Sequence, residues 1–219
     1  MKEFDFYGTT GVIAPGMVLI VGMVILFFPD QGEALKTISD VSLGSLGVGM
    51  ILAYVAGQLL QAIGNGLETV WWCFFGGMPT DWIRSPSQNI IAPSQRDLIL
   101  IRLRIDLNTP SFEFAAADTN SWQSITRQIN ASIARSGMLL RVDIFNGNYG
   151  LCRGIASAFL VLLSGAIIYN WRAWQIEVAL LLLMALAIYR MHRFGVRYAR
   201  ELFVQYIQAA QPTTERGNP

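Results

Sequence analysis

The sequence predicts an all-α membrane protein: four transmembrane helices with a mainly helical cytosolic insert between spans two and three. Three observations carry that prediction. Hydrophobic residues make up 53% of the 219 and charged residues only 14%, where an average soluble domain carries about a quarter charged residues. Four apolar runs are long enough, as helices, to cross or nearly cross a hydrocarbon layer about 30 Å thick. The basic residues cluster in two of the stretches outside those runs, the asymmetry that orients membrane proteins.

The first run, Gly11 to Phe28, contains Pro15 and ends at Pro29-Asp30, a stop signal. The preceding residues place Lys2 against Glu3 and Asp5, without the basic start or small-residue cleavage site of a signal peptide, so this span is expected to be retained. The second runs from about Leu43 to Gly64, apolar apart from Tyr54, Gln58 and Gln61. The third covers about Gly154 to Tyr169 and the fourth about Ile176 to Tyr189, joined by a tight hairpin at 170–175. The fourth is short, and Trp174, Arg190 and Arg193 can extend it by anchoring at the interface. The expected divisions are residues 1–64 for spans one and two, 65–153 for the insert, 154–189 for spans three and four, and 190–219 for a basic C-terminal helix and tail.

Charge orients these spans. Eight arginines lie between spans two and three and five follow span four, whereas Asp30, Glu33 and Asp40 outweigh Lys36 between spans one and two. The positive-inside rule then places the insert and both termini in the cytosol of a multi-pass inner-membrane protein. Tyr169, Trp171 and Trp174 mark an outer aromatic belt, and Trp71, Trp72, Phe74, Phe75 and Trp82 an inner one.

Within the insert, Gly76-Gly77-Met78-Pro79 and Arg84-Ser85-Pro86 break the chain, and Ser94-x-x-Asp97 has the form of a capping box. The stretch 98–107 supports two readings, a helix opened by that box or a strand whose Ile99, Ile101, Leu103, Ile105 and Leu107 alternate with polar residues. A small α+β insert is therefore the alternative. Trp122, Ile125, Ile129 and Ile133 recur at helical spacing, with Gly137 placed to end the helix. From Arg141, the series Phe145, Tyr149 and Cys152 continues a helical period into span three.

Span two holds the first candidate site. Tyr54, Gln58, Gln61, Asn65 and Glu68 follow one another by four, three, four and three residues, which puts them on one helical face. Gly47 and Trp72 extend the line. Amides facing hydrocarbon without partners cost several kcal/mol each, by order of magnitude about 4–8 for transfer to an alkane, so the stripe must face protein or water. It lines a hydrated pathway assembled from several copies, or its glutamines bond to neighbouring helices as packing contacts. Beside it Gly49, Ala53 and Gly57 form a small-residue ridge suited to close helix packing in an oligomer, and Gly150 and Gly154 form a second pair.

The second candidate site is basic. Arginines number 14 and lysines two, and the guanidinium is the side chain suited to bidentate phosphate recognition. Arg190, Arg193, Arg197 and Arg200 share one face of a continuing helix, and Arg153 with other arginines of the insert could complete a site for a nucleotide or single-stranded oligonucleotide. Trp71, Trp72 or Trp82 could stack a base. The competing reading is attachment to anionic lipid headgroups. No catalytic motif is present, His192 lies at a membrane end, and the separated Cys73 and Cys152 are expected as buried thiols, so no enzyme, metal or cofactor is expected.

The layout, with the segment Phe145-Asn146-Gly147-Asn148-Tyr149-Gly150-Leu151-Cys152-Arg153-Gly154, resembles small bacterial four-span membrane effectors of anti-phage defence, the Hailong type among them. The resemblance implies a pore or membrane disruption controlled by a cytosolic nucleotide or oligonucleotide signal, and a nucleotidyltransferase partner. The expectation is thus a homo-oligomeric ion-channel or pore-forming effector gated by an anionic ligand. The alternative is a non-conducting scaffold or accessory subunit of another membrane complex.

Overall fold

A computed structural model describes residues 6–27, 43–85, 88–170 and 174–209. Among these residues the structure is helical, with no strand. The helices are α1 (Phe6–Phe27), α2 (Leu43–Cys73), α3 (Pro93–Asp106), α4 (Thr119–Arg135), α5 (Leu140–Asn170) and α6 (Trp174–Gln208), with single 3-10 turns at Trp82–Arg84 and Phe114–Ala116. Four of them, α1, α2, α5 and α6, are long and apolar enough to cross a membrane. The charged loop at 30–40, Trp171, Arg172 and the tail from 210, including Arg216, lie outside the described residues.

Two compact units divide the chain, one made of 1–71 and 147–193 and the other of 72–146 and 194–219. In the first, α1 and α2 approach at backbone distance. A Cβ on Gly16 would collide with the Ala53 carbonyl, and one on Gly57 with the Val12 carbonyl. Small side chains are what permit such contact between apolar helices, since dispersion falls off steeply with any gap. Pro15 lies inside α1 and packs where a Cβ on Gly154 of α5 would stand 2.6 Å from its Cγ. Leu162, Ala166 and Leu180 complete a small core with Leu19, Leu26 and Phe159.

The second unit has an ordinary aliphatic and aromatic core. Trp122, Ile125, Ile129 and Ile133 of α4 are all buried, as their spacing predicts. Asp118 caps α4 by accepting the Ser121 N–H at 2.9 Å, and hydrogen bonding from the Ser121 side chain and backbone holds its carboxyl below the usual carboxylate range. At the other end Gly137 takes φ +72°. Its N–H reaches the Ala134 carbonyl at 3.1 Å and that of Met138 reaches Ile133 at 3.3 Å, the paired bonds of a Schellman end.

The ambiguous stretch is a helix, and the α+β alternative is set aside. It starts one residue before Ser94: Pro93 occupies the first helical position, where its missing N–H costs nothing. The expected Ser94–Asp97 box does not form. Instead the Ala92 N–H donates to Gln95 Oε1 at 3.2 Å. Ile99 and Leu103, four apart, are buried against the core, while Leu98, Ile101 and Ile105 are 52%, 54% and 73% exposed. Alternation and helical spacing both fit this segment, and a core able to receive Ile99 and Leu103 from one helical face decides between them.

The far end of α6 also belongs to this core. Ala199, Leu202, Phe203 and Tyr206 are buried there, so the helix expected as a basic surface element also contributes to the core. Asp81, in the turn before the first 3-10 segment, is half-buried. Burial pushes its carboxyl up, against the opposing pull of the Met78 N–H and Arg84.

A polar node on span two and the candidate functional site

The five stripe residues occupy an arc of about 80° at 3.6 residues per turn. That width explains why they part company. Gln61 and Glu68 lie at one edge, next to the face that packs on the rest of the first unit, and both turn inward. Arg153 of α5 donates from one terminal nitrogen to Gln61 Oε1 at 2.7 Å and from the other to Glu68 Oε2. Gln61 in turn donates through Nε2 to the Gly11 carbonyl of α1 at 3.0 Å. One amide therefore joins three membrane-length helices.

Arg153 reaches this position because Gly64 has no side chain. A Cβ there would stand 3.0 Å from Arg153 Cγ and 3.1 Å from Ser157 Oγ. The Arg153 and Glu68 side chains are only 19% and 15% exposed. A pair so desolvated gives little net stability in itself, yet removing one partner strands a buried charge. Arg153 Nε is buried with no hydrogen-bond partner among the described residues, and the guanidinium stands 5.9 Å from the Tyr149 ring centre.

Tyr54, Gln58 and Asn65 lie toward the other edge and are exposed on the chain. Next to them runs the exposed apolar arc of Ile51, Leu52, Val55, Leu59 and Ile63, which suits lipid. The ridge also divides. Ala53 is fully buried and Gly57 packs on α1, both within the chain, whereas nothing lies within 4 Å of a Cβ on Gly49.

The four arginines of α6 fall in both units. Arg190 and Arg193 belong to the first unit, Arg197 and Arg200 to the second. Arg193 stands 5.8 Å from the Tyr189 ring centre, and Arg200 Nε donates to the Ile90 carbonyl at 3.1 Å. Arg153, engaged with Gln61 and Glu68, is committed to the polar node. The tryptophans proposed as base-stacking surfaces have other contacts. Trp71 Nε1 donates to His192 Nδ1 at 3.3 Å, Trp72 is buried, and Trp82 Nε1 donates to the Gly77 carbonyl at 3.1 Å. Cys152 is buried, but Cys73, expected to be buried as well, is exposed.

Sequence reasoning missed a second polar cluster, in the second unit. Tyr206 donates its hydroxyl to Asp106 Oδ2 at 2.6 Å. Arg102 stacks 4.0 Å over the Tyr206 ring, reaches the Tyr206 carbonyl and touches Asp106 Oδ2 and Ser132 Oγ at 3.4 Å each. Its only sequence signal is the i,i+4 pair Arg102–Asp106. Among the described residues, no cluster of His, Cys, Asp and Glu could hold a metal ion. No protein-family model, curated protein or solved structure matches the chain.

Proposed function

We propose that the protein is a homo-oligomeric inner-membrane channel or pore-forming effector, gated from the cytosol by an anionic ligand and acting in anti-phage defence. Exposure of Gln58 and Asn65 on a membrane-length helix carries this reading. Lipid offers these amides no partners, so water or further copies of the chain must. Tyr54, Gln58 and Asn65 line the pathway, while Gln61 and Glu68, held by Arg153, fix the rotation of α2 that presents them. The positive-inside asymmetry supports cytosolic termini and a cytosolic second unit. The ligand class, a nucleotide or short oligonucleotide made by a nucleotidyltransferase partner, follows from the resemblance.

One observation favours the non-conducting scaffold instead: Gln61 and Glu68 find their partners inside the chain, as packing residues do. Cysteine accessibility separates the two readings. In a background lacking Cys73 and Cys152, cysteines at Gln58 and Asn65 should react with water-soluble thiol reagents, and those at Leu52 and Leu59 should not. Replacing Gln58 and Asn65 with leucine should abolish ion flux from loaded liposomes by dewetting the path while leaving assembly intact. Unreactive cysteines at both stripe positions, with a loosened assembly in the leucine variant, would establish the scaffold.

A further inference from the structure

A cavity of about 210 Å³ opens in the second unit between α3, α4 and the end of α6. Elsewhere in that unit the helices meet through isoleucine, leucine and aromatic side chains. Here the floor is apolar, made by Leu103, Ile125 and Ile129, but one wall carries Gln128, Ser132 and Arg135. These three are spaced by four and three residues, so they form a single line on α4. Each can donate a hydrogen bond, and Arg135 adds a positive charge.

Asp106 also lines the cavity. Its charge is compensated, because Oδ2 accepts from both Tyr206 and Arg102. Arg102 is in turn committed to the Tyr206 carbonyl and Ser132. Asp106, Tyr206 and Arg102 are thus held to one another beside the floor by contacts that need no ligand. The charge left over is that of Arg135, which is exposed and whose Nε makes only a long bond, 3.4 Å, to the Ala131 carbonyl.

We propose that this cavity binds a small phosphate-bearing molecule, its phosphate on the Gln128–Ser132–Arg135 line and its apolar part on the Leu103–Ile125–Ile129 floor. A tetrahedral phosphate supplies several acceptor oxygens to such a row of donors, and a guanidinium suits it best. The cavity is smaller than the roughly 300–1,000 Å³ of sites for drug-sized ligands. It therefore fits a phosphomonoester of modest size, either free in solution or carried as a lipid headgroup. The assignment deepens the ligand-gated reading by giving the anion a site that none of the α6 arginines lines, and it rests on that reading only for what binding controls.

The test uses the full-length protein in phosphatidylcholine nanodiscs. Glycerol 3-phosphate is titrated and followed by calorimetry. In a second arm, protein extracted from membranes containing phosphatidic acid is examined by native mass spectrometry for retained lipid. Gln128 and Arg135 are exposed, so Gln128→Ala and Arg135→Gln should leave the melting temperature unchanged. Arg135→Gln should weaken binding about tenfold or more, the loss expected for a charged hydrogen bond. An effect in the first arm supports a free phosphomonoester, and one in the second supports a headgroup. Absence of Arg135-dependent binding in both arms overturns the site, as does binding lost in Arg193→Gln/Arg197→Gln but kept in Arg135→Gln. Arg135-dependent binding by a protein that passes no ions would support the site while overturning the channel reading.

Discussion

Glu68 and Arg153 face each other from two membrane-length helices, and neither can be altered alone without stranding the other. Arg153→Met should therefore destabilise the protein by about 3–5 kcal/mol, and Glu68→Leu combined with Arg153→Met should recover most of that loss. Reversible unfolding in detergent, run as a double-mutant cycle, measures it. Additive losses in the double variant would refute the coupling. Asp81 offers a separate test in the second unit. Its raised carboxyl pKa means that the folded state holds the proton more tightly than the unfolded state does. Ionised Asp81 thus costs stability above its raised value, and the cost vanishes on acidification below the unfolded value of 3.8. Asp81→Asn keeps an acceptor for the Met78 N–H, so it should stabilise the protein at neutral pH. That advantage should shrink towards zero as pH falls through the carboxylate range. Chemical unfolding at a series of pH values would show the trend, and a constant difference would contradict it.

The helices differ in how far local spacing reveals their packing. For α4 it reveals nearly everything, because Trp122, Ile125, Ile129 and Ile133 share one face and the other face is polar. For α3 it does not, because aliphatic side chains occupy both faces and only the core contributed by α4 and α6 selects Ile99 and Leu103. Ile99→Ala should accordingly cost about 2–5 kcal/mol, against a change within about 0.5 kcal/mol for Ile105→Ser at the exposed position, both read from denaturation midpoints. The end of α6 was hidden for another reason: Arg193, Arg197 and Arg200 advertise a surface, while Ala199, Leu202, Phe203 and Tyr206 are buried between and beyond them. On α2 the polar face was legible, but the choice of Gln61 and Glu68 as the inward edge depends on Arg153, a contact remote in sequence. The small residues there give a matching test. Gly57→Ala should force α2 from α1 and destabilise by about 1–3 kcal/mol, as overpacking does. Gly49→Ala has open space and should leave thermal stability unchanged; equal effects at both sites would refute the contact.

At the scale of the whole molecule, four membrane-length helices and a second unit with its own aliphatic core are the architecture, and charge asymmetry supplies the orientation proposed for it. Reporter fusions after Pro219 and near Ser87 should both give cytosolic signal, and a periplasmic signal from either would reverse the assignment. The polar node adds a constraint of time. In the chain α2 precedes α5, so Glu68 and Gln61 are synthesised before Arg153, the residue whose guanidinium they hold. The earlier helix is therefore expected to help seat the later one beside it. Chains synthesised without α1 and α2 should leave α5 outside the membrane more often than intact chains do, and supplying α1 and α2 as a separate polypeptide should rescue it.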